Sequence, residues 1–78
     1  MIPIKVHHTK LHEARKAFIF LYEREPVIYT CSRFNDEDGM SVFGSCPVLN
    51  IGRTKVEVEA DDINFKAYIK DIEYFTFE

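Results

Sequence analysis

The sequence contains no tryptophan and only two cysteines, three glycines and three prolines in 78 residues. No apolar run approaches the 18 or more residues that cross a bilayer, so no membrane partner is expected. Two cysteines cannot staple a disulfide scaffold and leave at most one bridge, Cys31 to Cys46. The opening residues, Met1 to His8, lack the apolar core of a secretory signal, which points to a cytoplasmic, reducing setting and free thiols. The chain has no P-loop, dinucleotide fingerprint, nucleophile elbow or paired C-x-x-C. With no motif carrying a specific chemistry, the expectation is a non-enzyme without a cofactor.

What is present excludes disorder: 46% of residues are hydrophobic and 14% aromatic. The length suits one domain over residues 1–78. A domain of this size buries only about 60% of its unfolded surface, so small domains recruit a staple or a partner. With a disulfide and a metal both disfavoured, a protein partner or a second subunit is the expected supplement.

The formal net charge of −3 hides an asymmetry. Residues 1–34 carry a net +3 and all three histidines, whereas residues 35–78 carry a net −6. Such a dipole suits head-to-tail self-association or docking on a charged partner.

The pattern along the chain predicts an α+β fold. Its architecture is a small two-layer domain, an antiparallel sheet of four to six strands with one helix at about residues 9–23. An all-β barrel or sandwich is the second choice. Ile2–His8 reads as an edge or early strand with Ile2, Ile4 and Val6 on one face. Thr9 is placed to cap a helix whose stripe is Leu11, Ala14, Phe18 and Leu21, widened by Ala17 and Tyr22. The apolar run Ala17–Tyr22 competes as a buried strand. Val27–Phe34 and Met40–Cys46 read as a hairpin around Asn35–Gly39. A two-residue turn at Asp38-Gly39 would pair Phe34 with Phe43 and Cys31 with Cys46, and a four-residue loop would separate the cysteines. Pro47–Ile51 is short and extended. Thr54–Ala60 alternates, with Val56 and Val58 inward and Lys55, Glu57 and Glu59 outward, before a turn at Asp61-Asp62. Ile63–Phe77 fits either a helix or a strand, and its Ile, Phe, Tyr and Thr content favours strand with a phase slip near Asp71.

Four clusters are candidates for chemistry. His8 and His12 have the i, i+4 spacing of helical metal ligands and Glu13 could lend an oxygen, but a tetrahedral set would need Cys31 or Cys46 from elsewhere, so no metal is expected. Cys31 and Cys46 lie in apolar strand contexts and read as structural thiols. Asp36-Glu37-Asp38-Gly39 fails as a calcium loop, because Phe34 and Ser45 fall at its first and twelfth ligand positions. Glu57 and Glu59 share one strand face, either as solvated carboxylates or as an acidic patch for a basic partner.

The reading that survives is a non-catalytic protein-binding module, a regulator or inhibitor of a larger protein, of the kind phages and mobile elements encode. Eleven Phe and Tyr residues exceed what one small core readily buries. The expected docking surface is therefore the aromatic-acidic C-terminus: Tyr68, Glu73, Tyr74, Phe75 and Phe77, with Glu57 and Glu59 as acidic partners. A second reading is a single-stranded nucleic-acid domain using Lys66, Tyr68 and Lys70 beside Asn64. The pI near 5.6 opposes it unless the charges segregate. A third is a homo-oligomeric structural component, such as a dimer.

Overall fold

The computed structural model describes residues 3–42 and 44–78. Among these residues, eight strands accompany one α-helix, α1 (Leu11–Tyr22). The strands are β1 (Ile4–His7), β2 (Ile28–Thr30), β3 (Phe34–Asn35), β4 (Ser41–Val42), β5 (Val48–Ile51), β6 (Lys55–Ala60), β7 (Ile63–Tyr68) and β8 (Tyr74–Phe77). They form three small antiparallel sheets, ordered β1-β8-β2, β3-β4 and β5-β6-β7. The fold is α+β, with its strands divided among three sheets rather than gathered in one of four to six.

The C-terminal strand sits in the middle of the first sheet. Its residues alternate Tyr74, Phe75, Thr76, Phe77, so that Phe75 and Phe77 share one face. Val6 and Thr30 flank Phe75 on either side, and Ile4 and Ile28 flank Phe77. Phe75 and Phe77 are 0% and 1% exposed. This corrects the expectation that they form an exposed docking patch: a central strand under a helix has no solvent on its inner face. Phe18 of α1 meets Phe77 edge-on at 6.1 Å between ring centroids.

Helix α1 begins after a 3₁₀ turn, His8–Lys10, rather than at a Thr9 cap. His7 Nδ1 accepts the Thr9 N–H instead. Glu23 ends the helix in the left-handed region at φ 56°, its N–H donating to Ile19 O at 2.9 Å. Leu11 and Phe18 are buried and Ala14 packs against the core, but Leu21, Ala17 and Tyr22 are exposed. The core-facing side continues from Phe18 toward Tyr22, which stays exposed with its ring centroid 4.4 Å from that of Phe18. That phase turns Leu21 outward.

The β6–β7 hairpin follows the expected alternation. Val56, Val58 and Ala67 are buried, while Lys66 and Tyr68 are exposed. Asp61 and Asp62 make the two-residue turn with φ 52° and 63°, the positive values that match strand twist. The phase slip near Asp71 is a 3₁₀ turn, Ile69–Asp71.

The other hairpin differs from both expected registers. Phe34 pairs with Val42 and Asn35 with Ser41. The Asp36 carboxylate accepts the N–H groups of Asp38 and Met40, each at 2.9 Å, and so closes a longer loop. Phe43, named in the expected pairing with Phe34, and Ile2, named on the expected face of the first strand, lie outside the described residues. The stretch Val27–Phe34 is broken at Ser32, whose Oγ accepts the Glu73 and Tyr74 N–H groups. That bond anchors the break against β8 and separates β2 from β3. The cysteines are not paired: Cys46 is buried, Cys31 is exposed and both are free thiols.

Thr30 is wholly buried yet satisfied, donating to Gly44 O at 3.1 Å and accepting the Cys46 N–H at 2.9 Å. Replacing it by valine strands the Cys46 N–H and is expected to cost about 1–3 kcal/mol. Phe75→Ala is expected to cost about 3–5 kcal/mol through the cavity it leaves. Urea denaturation of both variants checks these values, and a loss below about 1 kcal/mol for Phe75→Ala would contradict the packing described.

Candidate functional site

The structure disperses the C-terminal surface expected from the sequence. Phe75 and Phe77 are core residues. Tyr74 is half-buried, with His7 edge-on at 5.3 Å and Lys5 Nζ 4.2 Å from its ring centroid. Glu73 is exposed at the entry to β8, while Glu57 and Glu59 lie in another sheet. On that sheet Glu57 stands opposite Lys66, and Glu59 opposite Asn64. A cation facing one carboxylate and an amide facing the other make these a mixed polar face.

Three other surface features take its place. The first is the outer face of α1. Phe20 is 84% and Leu21 71% exposed. Ala17 precedes them by three and four residues, so the three share one side of the helix. The periodicity carried this signal: with Leu11, Ala14 and Phe18 facing inward, Phe20 stands roughly 200° from Phe18 at 100° per residue.

The second feature is a basic concavity at one end of the β6–β7 hairpin. His8, His12, Arg53, Tyr68 and Lys70 line it, with Thr54 and Ile69 between them. Its volume of about 400 Å³ lies in the range of small-ligand sites. No carboxylate is among its lining residues. His12 Nε2 lies 3.3 Å from Arg53 O, tying α1 to the loop before β6. Lys55 Nζ and Lys70 Nζ sit 5.1 and 5.7 Å from the Tyr68 ring centroid. Lys55 also pairs with Glu37 at 3.1 Å. That hydrogen bond first, then the Tyr68 phenol and the Glu37 charge, hold the Lys55 ammonium above its ordinary pKa.

The third feature is an acidic groove at the other end of the same hairpin. Asp36, Asp38, Glu59, Asp61 and Asp62 edge it, and no basic side chain lines it. Lys55 faces Tyr68 at one end of the ladder and Ala60 faces Ile63 at the other. These ends lie about 17 Å apart at about 3.4 Å per residue. Within the C-terminal half, cations and carboxylates are therefore set at opposite ends of one hairpin.

His8 and His12 line the basic concavity while His7 lies against Tyr74, and among the described residues no group of three His, Cys, Asp or Glu could hold a metal ion. His7 Nδ1 is engaged with Thr9 Oγ1 at 2.8 Å. The acidic run at 36–39 is the hairpin turn described above. Lys66 lies outside the lining of the concavity, whereas Arg53 and Lys55, which sequence spacing did not single out, stand at it or beside it. No family model matches the chain, and neither does any curated protein or solved structure.

Because Cys31 is exposed and Cys46 buried, a thiol reagent added to the native protein is expected to modify one equivalent quickly. The second should react only as the protein unfolds. Two fast equivalents would contradict the burial of Cys46.

Proposed function

We propose that the protein is a non-catalytic binding module, a regulator or inhibitor that docks on a larger protein through the outer face of α1. The observation that carries this reading is the exposure of Phe20 and Leu21 side by side on a rigid helix. Burying two such side chains at an interface is worth about 1.5–3 kcal/mol each. Glu13 and Lys16 stand one turn before Ala17 and Phe20, and Glu23 follows Phe20, giving the patch a rim of both signs. An apolar stripe with a charged rim is the helix-in-groove mode of recognition, so the partner's groove has an apolar floor and a mixed-charge edge.

The size of the stripe favours a groove over a second copy of this chain. Ala17 to Leu21 spans only about 6 Å of helix axis. Two such stripes face to face fall well short of the roughly 800 Å² per partner of a stable dimer. A groove surrounds the same side chains on several sides and covers more of each.

The test uses the double variant Phe20→Asp, Leu21→Asp. It is expected to stay folded with a loss of about 1–2 kcal/mol, the propensity and dipole cost of two aspartates in the last helical turn, since neither side chain serves the core. A protein captured from host lysate by the parent chain is purified and titrated against both forms. The account expects a 1:1 complex with the parent and an affinity at least about 100-fold weaker with the variant. Equal affinity for the two forms, or a stable homodimer through this face by light scattering, would overturn it.

A further inference from the structure

The basic concavity answers a different ligand from the helix patch, and its argument stands apart from the one above. We infer that it binds single-stranded nucleic acid, one base stacking on Tyr68 while Arg53 and Lys70 hold the flanking phosphates.

The overall acidity of the chain, pI about 5.6, opposes any polyanion unless the charges separate. They do separate. The concavity is lined by cationic, neutral and imidazole groups, and the five carboxylates of the acidic groove gather at the far end of the hairpin. Three acids stand near the basic end without lining the concavity: Glu37, which pairs with Lys55, and the exposed Asp71 and Glu13, which follow Lys70 and His12 in the chain. Arg53 and Lys70 remain as the main cations within the lining, with His8 and His12 beside them.

Tyr68 decides which anion fits. It is an aromatic ring 36% exposed, on a strand, at the floor of a cationic hollow. A carboxylate or an acidic peptide would use the cations and leave the ring idle. A nucleotide uses both, because every base offers a π face and every linkage a phosphate. The Lys70 ammonium now over the ring sits on a flexible stem and reaches an adjacent phosphate by changing rotamer, while Lys55 stays with Glu37 at the edge of the site. A duplex, whose bases are already stacked, offers no face to Tyr68. A second copy of this chain, docking its acidic groove here, would meet the cations with carboxylates as an acidic peptide would.

The test is fluorescence anisotropy of a dye-labelled, mixed-sequence 12-mer oligonucleotide with the full chain. Binding is expected at low salt. With two or three phosphates neutralised, affinity falls roughly tenfold between about 50 and about 200 mM salt. Tyr68→Ala is expected to weaken binding roughly tenfold or more. Lys70→Gln should weaken it and flatten the salt dependence by about one phosphate contact. Lys66→Gln, outside the hollow and opposite Glu57, should stay within about twofold of the parent. Circular dichroism establishes that each variant is folded. Four results would overturn the inference: no binding at low salt, equal binding of the matching duplex, a parent-like Tyr68→Ala, or particle mass that grows at low salt without oligonucleotide.

Discussion

The last strand of the chain is clamped between the first strand and the strand that follows the helix. β8 bonds to β1 on one side and β2 on the other, so its backbone has no free edge. The same strand carries Phe75 and Phe77 into the centre of the core, under Leu11 and Phe18. The two termini of the chain are thereby zipped together, and the sheet exists only when both ends are in place. The β1–β8 pairings are almost as long-range as the chain allows, so their loop-closure entropy must be met by the burial they bring. The His8 N–H to Glu73 O bond and the paired bonds between Val27 and Glu78 extend the same clamp at either end.

That clamp determines which surfaces remain. Phe75 and Phe77 go to the core, and the most exposed of the apolar excess appears at the far end of α1, where Phe20 and Leu21 have nothing left to cover. The β5-β6-β7 sheet is attached through Pro47, whose O accepts the Glu59 N–H and which bridges to Tyr29. Its charged face and its two ends are left to solvent. The acidic turn at Asp61-Asp62 and the cations near Lys55 and Lys70 then lie at opposite ends of one hairpin. The exposed apolar and charged surfaces of this protein are thus by-products of how a small core was completed, which is the usual situation where surface area exceeds what a small core can absorb.

Local patterns were readable from the sequence and long-range ones were not. The alternation of Val56 and Val58 against Lys55, Glu57 and Glu59, and the Asp61-Asp62 turn, depend on neighbours a few residues away. The helix at 11–22 and the slip near Asp71 have the same local origin. The register at Phe34 was missed because the Asp36 carboxylate closes a longer loop, a side-chain effect that turn dipeptides do not encode. The burial of Phe75 and Phe77 was misjudged for another reason. Counting aromatics treated them as surplus, whereas their alternation with Tyr74 and Thr76 already marked a strand with one apolar face. Nothing local says that this strand lies in the middle of a sheet. The basic hollow was half legible: Tyr68 and Lys70 were found by spacing, but Arg53 and Lys55 arrive there only through the hairpin.

Native-state amide hydrogen exchange tests the central placement of β8 most directly. If β8 is the central strand, the amides of Phe75 and Phe77 exchange only through global unfolding, with a free energy equal to that from denaturant titration. They then rank with the slowest in the protein. Exchange of those two amides by local opening, while β6 and β7 stay protected, would contradict the account.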